Sequence, residues 1–155
     1  MQEKFMRTFN ELSLDEVSMD GFTIVNGEFF KKPIEPLLTI RDHSLTFNGA
    51  AYKALNLVNS IQLFVHITYR RILVTPASSD DQNSLLWLKN PDDLSSHSLE
   101  CTSFARQLFQ AYGWILKNAY RSTGRLVTTN NKVMLLFDFS NPEIIPQRMD
   151  KSRNE

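Results

Sequence analysis

Residues 48–76 read NGAAYKALNLVNSIQLFVHITYRRILVTP, and the period of their apolar positions changes partway along. Across GAAYKALNL, Ala51, Tyr52 and Leu55 fall on one side of a helical wheel behind Asn48, whose side-chain oxygen can accept from the free N–H groups of a first turn. That spacing predicts a short capped helix. From Ser60 the period falls to two: Ile61, Leu63, Val65 and Ile67 alternate with Gln62, Phe64 and His66, giving a strand with one apolar face. Thr68-Tyr69-Arg70-Arg71 supplies a turn, and ILVTP returns as a partner strand that Pro76 ends. A helix joined to a hairpin by short connections implies antiparallel pairing with the helix laid on one face.

Upstream, LLTI and LTF read as strands around a turn at Asp42-His43-Ser44. Downstream the order repeats. LEC can be a strand, and Thr102 or Ser103 can cap a helix over SFARQLFQAY, in which Phe104, Ala105, Leu108, Phe109 and Tyr112 share a side and Gly113 supplies the stop. Then WILKNAYRSTG, RLVTT and KVMLLFDF form three extended stretches, the last two joined by Asn130-Asn131, a pair that tolerates left-handed backbone. The expected fold is α+β, with antiparallel sheet and two short helices arranged as two β-α-β-β units. Their predicted bounds are 21–76 and 99–145, with a polar linker over 77–98, an N-terminal arm or short helix over 1–20 and a tail over 146–155. Within the first unit, Asn26-Gly27 predicts a further hairpin in GFTIVNGEFF, followed by an extended segment stiffened by Pro33 and Pro36.

The 155 residues, 42% hydrophobic with 11 Phe, suffice for one ordinary domain or two very small ones and exclude disorder. No apolar run approaches the roughly 20 residues that span a bilayer, and MQEKFMRTFNELSLDE lacks the basic-then-apolar order of a signal peptide. A soluble, cytoplasmic protein without membrane contact is expected. The single cysteine, Cys101, precedes a predicted helix; it can form no internal disulfide, zinc ribbon or paired redox motif, and a packing role is expected.

Chemical motifs are sparse. His43, His66 and His97 show no metal-ligand spacing, no G-x-S-x-G elbow occurs, and the five glycines are isolated. Asp80-Asp81 and Asp92-Asp93 lie in polar loops, where paired carboxylates are normally solvated. The expectation is a protein without catalytic residues, metal or cofactor, and therefore not an enzyme.

Charge carries more information than its sum. Seventeen Lys and Arg balance 17 Asp and Glu, yet residues 1–46 hold eight acids and five bases while residues 101–145 hold two acids and five bases. Arg70 and Arg71 fall at the first hairpin tip, and Lys117, Tyr120, Arg121, Arg125 and Lys132 fall in the second meander. The cations are candidates to hold DNA phosphates and Tyr120 to stack on a base. The competing explanation is structural, because Lys and Arg also guard strand edges against unwanted pairing. A protein-interaction module or homodimer without DNA contact, using a sheet edge or the acidic, Phe-containing N-terminal arm, is the alternative.

The order of several pieces resembles a known family. These are the G-x-x-x-x-x-G-E-F-F stretch from Gly21 to Phe30, Glu35-Pro36, LTIRDHSLTFN, IQLFVHI followed by RRILVTPAS and Trp87, the Phe-rich helix ending at Gly113-Trp114, Tyr120-Arg121-x-x-Gly124, and LLFDFSNPE. Together, over roughly residues 20–147, they resemble small uncharacterised Firmicute proteins often encoded on integrative or conjugative elements and sometimes loosely labelled integrase-like. The resemblance implies an accessory or regulatory protein of a mobile element, with DNA, a recombinase or a replication protein as partner. It implies no integrase chemistry, because the Arg, Lys, His and Tyr set of a tyrosine recombinase and the N-terminal Ser of a serine recombinase are both missing.

Overall fold

A computed structural model describes residues 15–30 and 35–147. Residues 1–14 of the arm or helix expected over 1–20, residues 31–34 around Pro33, and residues 148–155 of the tail expected over 146–155 lie outside these described residues. The chain divides into two units, Met1–Lys32 and Pro33–Glu155.

In the first unit, the Phe22 N–H donates to the Met19 carbonyl at 3.1 Å across Gly21, whose φ is 84°, and Gly27–Phe30 forms a 3-10 turn. The hairpin expected around Asn26-Gly27 does not form. Ile24 is 94% exposed and Val25 is also exposed, so burial of these residues does not reward pairing, and a lone two-stranded ribbon is marginal in water.

The second unit contains β1 (Leu37–Arg41), β2 (Ser44–Phe47), α1 (Gly49–Ala54), β3 (Ser60–His66), β4 (Arg71–Pro76), β5 (Leu85–Leu86), β6 (His97–Glu100), α2 (Thr102–Tyr112), β7 (Asn118–Thr129), β8 (Lys132–Asp138) and β9 (Glu143–Pro146). It is α+β, as predicted. Every strand pair is antiparallel, in the order β5-β3-β4-β8-β7-β1-β2-β6, with β9 added beside β7. The sheet curls, so strands far apart in this order share one core: Phe47 of β2 meets Phe137 of β8 edge-on, with ring centroids 5.9 Å apart.

Asn48 caps α1 as its position predicts. Its Oδ1 accepts from the N–H groups of Ala51 at 3.1 Å and Leu37 at 2.9 Å, while Nδ2 donates to the Glu35 carbonyl at 2.9 Å. Ala51, Tyr52 and Leu55 are buried. The second helix buries Ala105, Leu108, Phe109 and Tyr112 and ends at Gly113, whose φ of 68° is the left-handed cap. Neither Thr102 nor Ser103 caps it: Cys101 holds that position without a side-chain hydrogen bond.

The predicted boundaries move in several places. Residues 77–98 are no linker, because Trp87 and Leu88 enter the core; Trp87 packs edge-on against Phe47 and Tyr52 and donates Nε1–H to the Val58 carbonyl at 2.7 Å. The two predicted units also merge, since β2 pairs with β6, β4 with β8 and β1 with β7. Finally, the stretches around Gly124 are one continuous strand. Gly124 does not break β7, because it lies under the Phe137 ring, where an added Cβ would sit 2.6 Å from Cε1. Residues 143–146, assigned partly to the tail, form β9. No helix among the described residues is long and apolar enough to cross a membrane.

Candidate functional site

The basic residues do not assemble into one face. Arg70 occupies a left-handed position (φ 55°) in the β3–β4 turn, and its guanidinium lies 5.5 Å over the Tyr112 ring. Arg71 stands opposite Asp138 across β4 and β8, with Nε 3.8 Å from the carboxylate. Arg121 donates through Nε and Nη2 to Glu143 Oε2 at 2.9 and 2.7 Å. Arg125 shares a polar cleft of about 540 Å³ with Arg121, but Glu35, Asp138 and Glu143 line the same cleft, so its acids outnumber its bases. Lys117 precedes β7 and Lys132 opens β8; roughly 40 Å of extended strand separates the two ends of this ribbon.

Asp138 sharpens the point. The Ser140 N–H, donating at 2.9 Å, and the Ser140 side chain hold its carboxyl below the usual carboxylate range, helped by Arg71 and Arg125. The acid is therefore ionised wherever DNA phosphates would compete for these arginines. Tyr120 is corrected outright: it is 4% exposed, stacks on Trp114 with centroids 4.2 Å apart, and its hydroxyl accepts from the Ile115 N–H at 3.0 Å. Both faces of the ring lie in the core, leaving none for a base.

The histidines and Cys101 are likewise engaged. His43 Nδ1 lies 2.8 Å from Asp42, His66 Nδ1 accepts from the Tyr69 N–H at 3.0 Å while its ring stacks on Tyr69, and His97 Nε2 lies 3.5 Å from Asp93. Among the described residues no three His, Cys, Asp or Glu groups converge as a metal site. Burial pushes the Cys101 thiol up, toward its neutral, poorly nucleophilic form.

A different site appears where the curled sheet fails to close. The two terminal strands, β5 and β6, do not pair, yet both border one cleft of about 560 Å³. Leu63 and Phe64 of β3, Leu85 and Leu86 of β5, Leu99 of β6 and Phe104 of α2 make its walls mainly apolar. Leu85 and Leu86 are 40% and 51% exposed, and Phe64 is 48% exposed. Leu63, Leu99 and Phe104 pack on the core but stay half-buried, because no strand among the described residues fills the lane beside them. Glu100 is the charged residue on this wall.

Sequence reasoning missed this site because LLWLK lay inside the supposed linker. Its signal was present: four apolar residues between two polar loops need a core or an interface. Set against protein-family models, curated proteins and solved structures, the chain finds no match in any of the three.

Proposed function

We propose that this chain is a non-enzymatic accessory protein that works by holding another polypeptide, in the mobile-element setting its sequence resemblance implies. One observation carries the reading: two sheet edges without a strand partner among the described residues and a set of half-buried apolar side chains border the same cleft. Apolar surface and open strand edges are what protein partners cover. The disposition of the cations supports it too, since Arg71 and Arg121 already neutralise carboxylates.

Direct DNA contact stays as a second reading because Lys117 and Lys132 make no ion pair among the described residues, Arg125 feels Asp138 only at longer range, and Tyr69, stacked on His66 and 62% exposed, sits beside Arg71.

Two measurements separate these. A photo-cross-linking amino acid placed at Leu86 or at Arg125 is activated in cells making the full chain. The expected result is protein adducts from position 86 that survive nuclease, with none to nucleic acid from position 125. In parallel, fluorescence anisotropy with duplex DNA at low salt should show no binding at micromolar protein. Nucleic-acid adducts at position 125, with a log–log salt slope near −3 as about three phosphate contacts require, would instead establish the DNA reading.

A further inference from the structure

The strand order hides a near-symmetry. Arranged as a ring, the strands run β4-β3-β5, then β6-β2-β1-β7-β8 and back to β4. Exchanging β4 with β8, β3 with β7, β5 with β1 and β6 with β2 maps this ring onto itself. The same exchange carries α1, between β2 and β3, onto α2, between β6 and β7. Each pairing has its counterpart: β3·β4 with β7·β8, and β3·β5 with β1·β7. The exception is β1·β2, whose counterpart β5·β6 is missing.

The reason is length. β1 has five residues and bonds to β7 on one side and β2 on the other, whereas β5 has two and reaches only Ser60 and Ile61 of β3. Upstream of Leu85 the chain leaves the lane in turns: the Asp81 N–H donates to the Ser78 carbonyl and the Ser84 N–H to the Asp81 carbonyl, both at 3.0 Å.

Where no described strand follows β5, the lane retains hydrogen-bonding groups. The Ala77 N–H donates to the Ser60 carbonyl, which fixes the phase of the β3–β4 ladder, so that Leu63 and Val65 turn their main-chain N–H and C=O away from β4. The Cys101 N–H donates to the His43 carbonyl, which turns the corresponding groups of Ser98 and Glu100 away from β2. None of these edge groups takes a strand partner among the described residues. Direction also agrees: β3 and β6 run the same way along the sheet, so one strand antiparallel to both fits between them.

We propose that this lane is a strand-addition site for a short extended peptide of a partner protein, which enters antiparallel to β3 and β6 and supplies the pairing that β1 provides on the opposite side. The proposal rests on the polypeptide-holding function above and specifies its ligand. Leu38 and Ile40, the inward residues of β1, are both fully buried; the peptide accordingly presents apolar residues at positions i and i+2 toward Leu63, Leu99 and Phe104. Glu100 on the wall selects Lys or Arg at a flanking position, and β1 itself ends in Arg41. From Leu63 to His66 the edge admits about four paired residues.

The test uses the full chain and a phage-displayed heptapeptide library, followed by synthetic versions of the enriched sequence. Expected are enrichment of an apolar-x-apolar pattern with a Lys or Arg, and affinity about tenfold lower or worse when alternate main-chain nitrogens of the peptide are methylated. Glu100→Lys, on an exposed side chain, should remove the preference for the cationic residue while circular dichroism stays unchanged. Equal binding of the methylated peptide overturns strand addition in favour of simple apolar contact. Absence of any enriched peptide overturns it as well, as does concentration-dependent dimerisation that masks the cleft, which would make a second copy the occupant. Cross-links from position 86 combined with any of these results leave the holding function standing and reject only the strand mechanism.

Discussion

Cys101 shows how burial decides the state of a single side chain. It stands at the start of α2, where a helix dipole favours a thiolate, but burial dominates and raises the thiol above its ordinary value of about 8.5. A raised folded value means that the native chain keeps its proton longer than the unfolded one. The associated stability is full below about pH 8.5 and declines as the pH rises beyond it. Denaturant midpoints measured from pH 7 to pH 10 should therefore fall for the native sequence and fall less steeply for Cys101→Val. An equal slope in both would show that the thiol does not contribute. Tyr120 teaches the same lesson with the opposite emphasis: beside Arg121 in a basic stretch it reads as a base-stacking residue, and only its contacts with Trp114 and Phe109 reveal a core residue.

Among the elements, α1 depends most on one residue. Asn48 satisfies an N–H of the first helical turn, the Leu37 N–H at the start of β1, and the Glu35 carbonyl, tying helix to strand. Asn48→Ala should cost about 1–3 kcal/mol, combining a lost cap with a part-buried N–H left unpaired. Asn48→Asp keeps the accepting oxygen and should recover most of that loss; thermal melts of the two variants provide the check, and equal destabilisation would mean that the donor to Glu35 matters most. This cap was legible because Asn before a helical period has a local mechanism. The hairpin at Asn130-Asn131 was legible for the same reason, with both residues at positive φ. The linker and the β7 boundaries were not. Trp87 is held by Phe47, Tyr52 and the Val58 carbonyl, and Gly124 by Phe137, all partners that local sequence does not identify.

For the whole second unit, the decisive fact is a shared core. Pattern alone could show that the halves repeat an order, but not that β2 would pair with β6 and β4 with β8. The short β5 lane was equally invisible, because it is defined by the absence of pairing between two distant edges among the described residues. Two independent units would unfold in two steps. With Trp87 from the supposed linker and Trp114 from the second half in the same cluster and its fringe, unfolding should be a single transition. Urea curves followed by fluorescence in Trp87→Phe and Trp114→Phe variants, each compared with its own circular dichroism, should coincide; separated midpoints within one variant would restore two units.

β7 also determines when this protein can take shape during its synthesis. Leu37 pairs with Thr123 and Ile40 with Tyr120, so the β1–β2 ribbon emerges from the ribosome roughly eighty residues ahead of the strand that covers it. At about 5–20 residues per second, that interval is about 4–16 s, during which β1 presents an uncovered apolar edge to whatever meets the nascent chain.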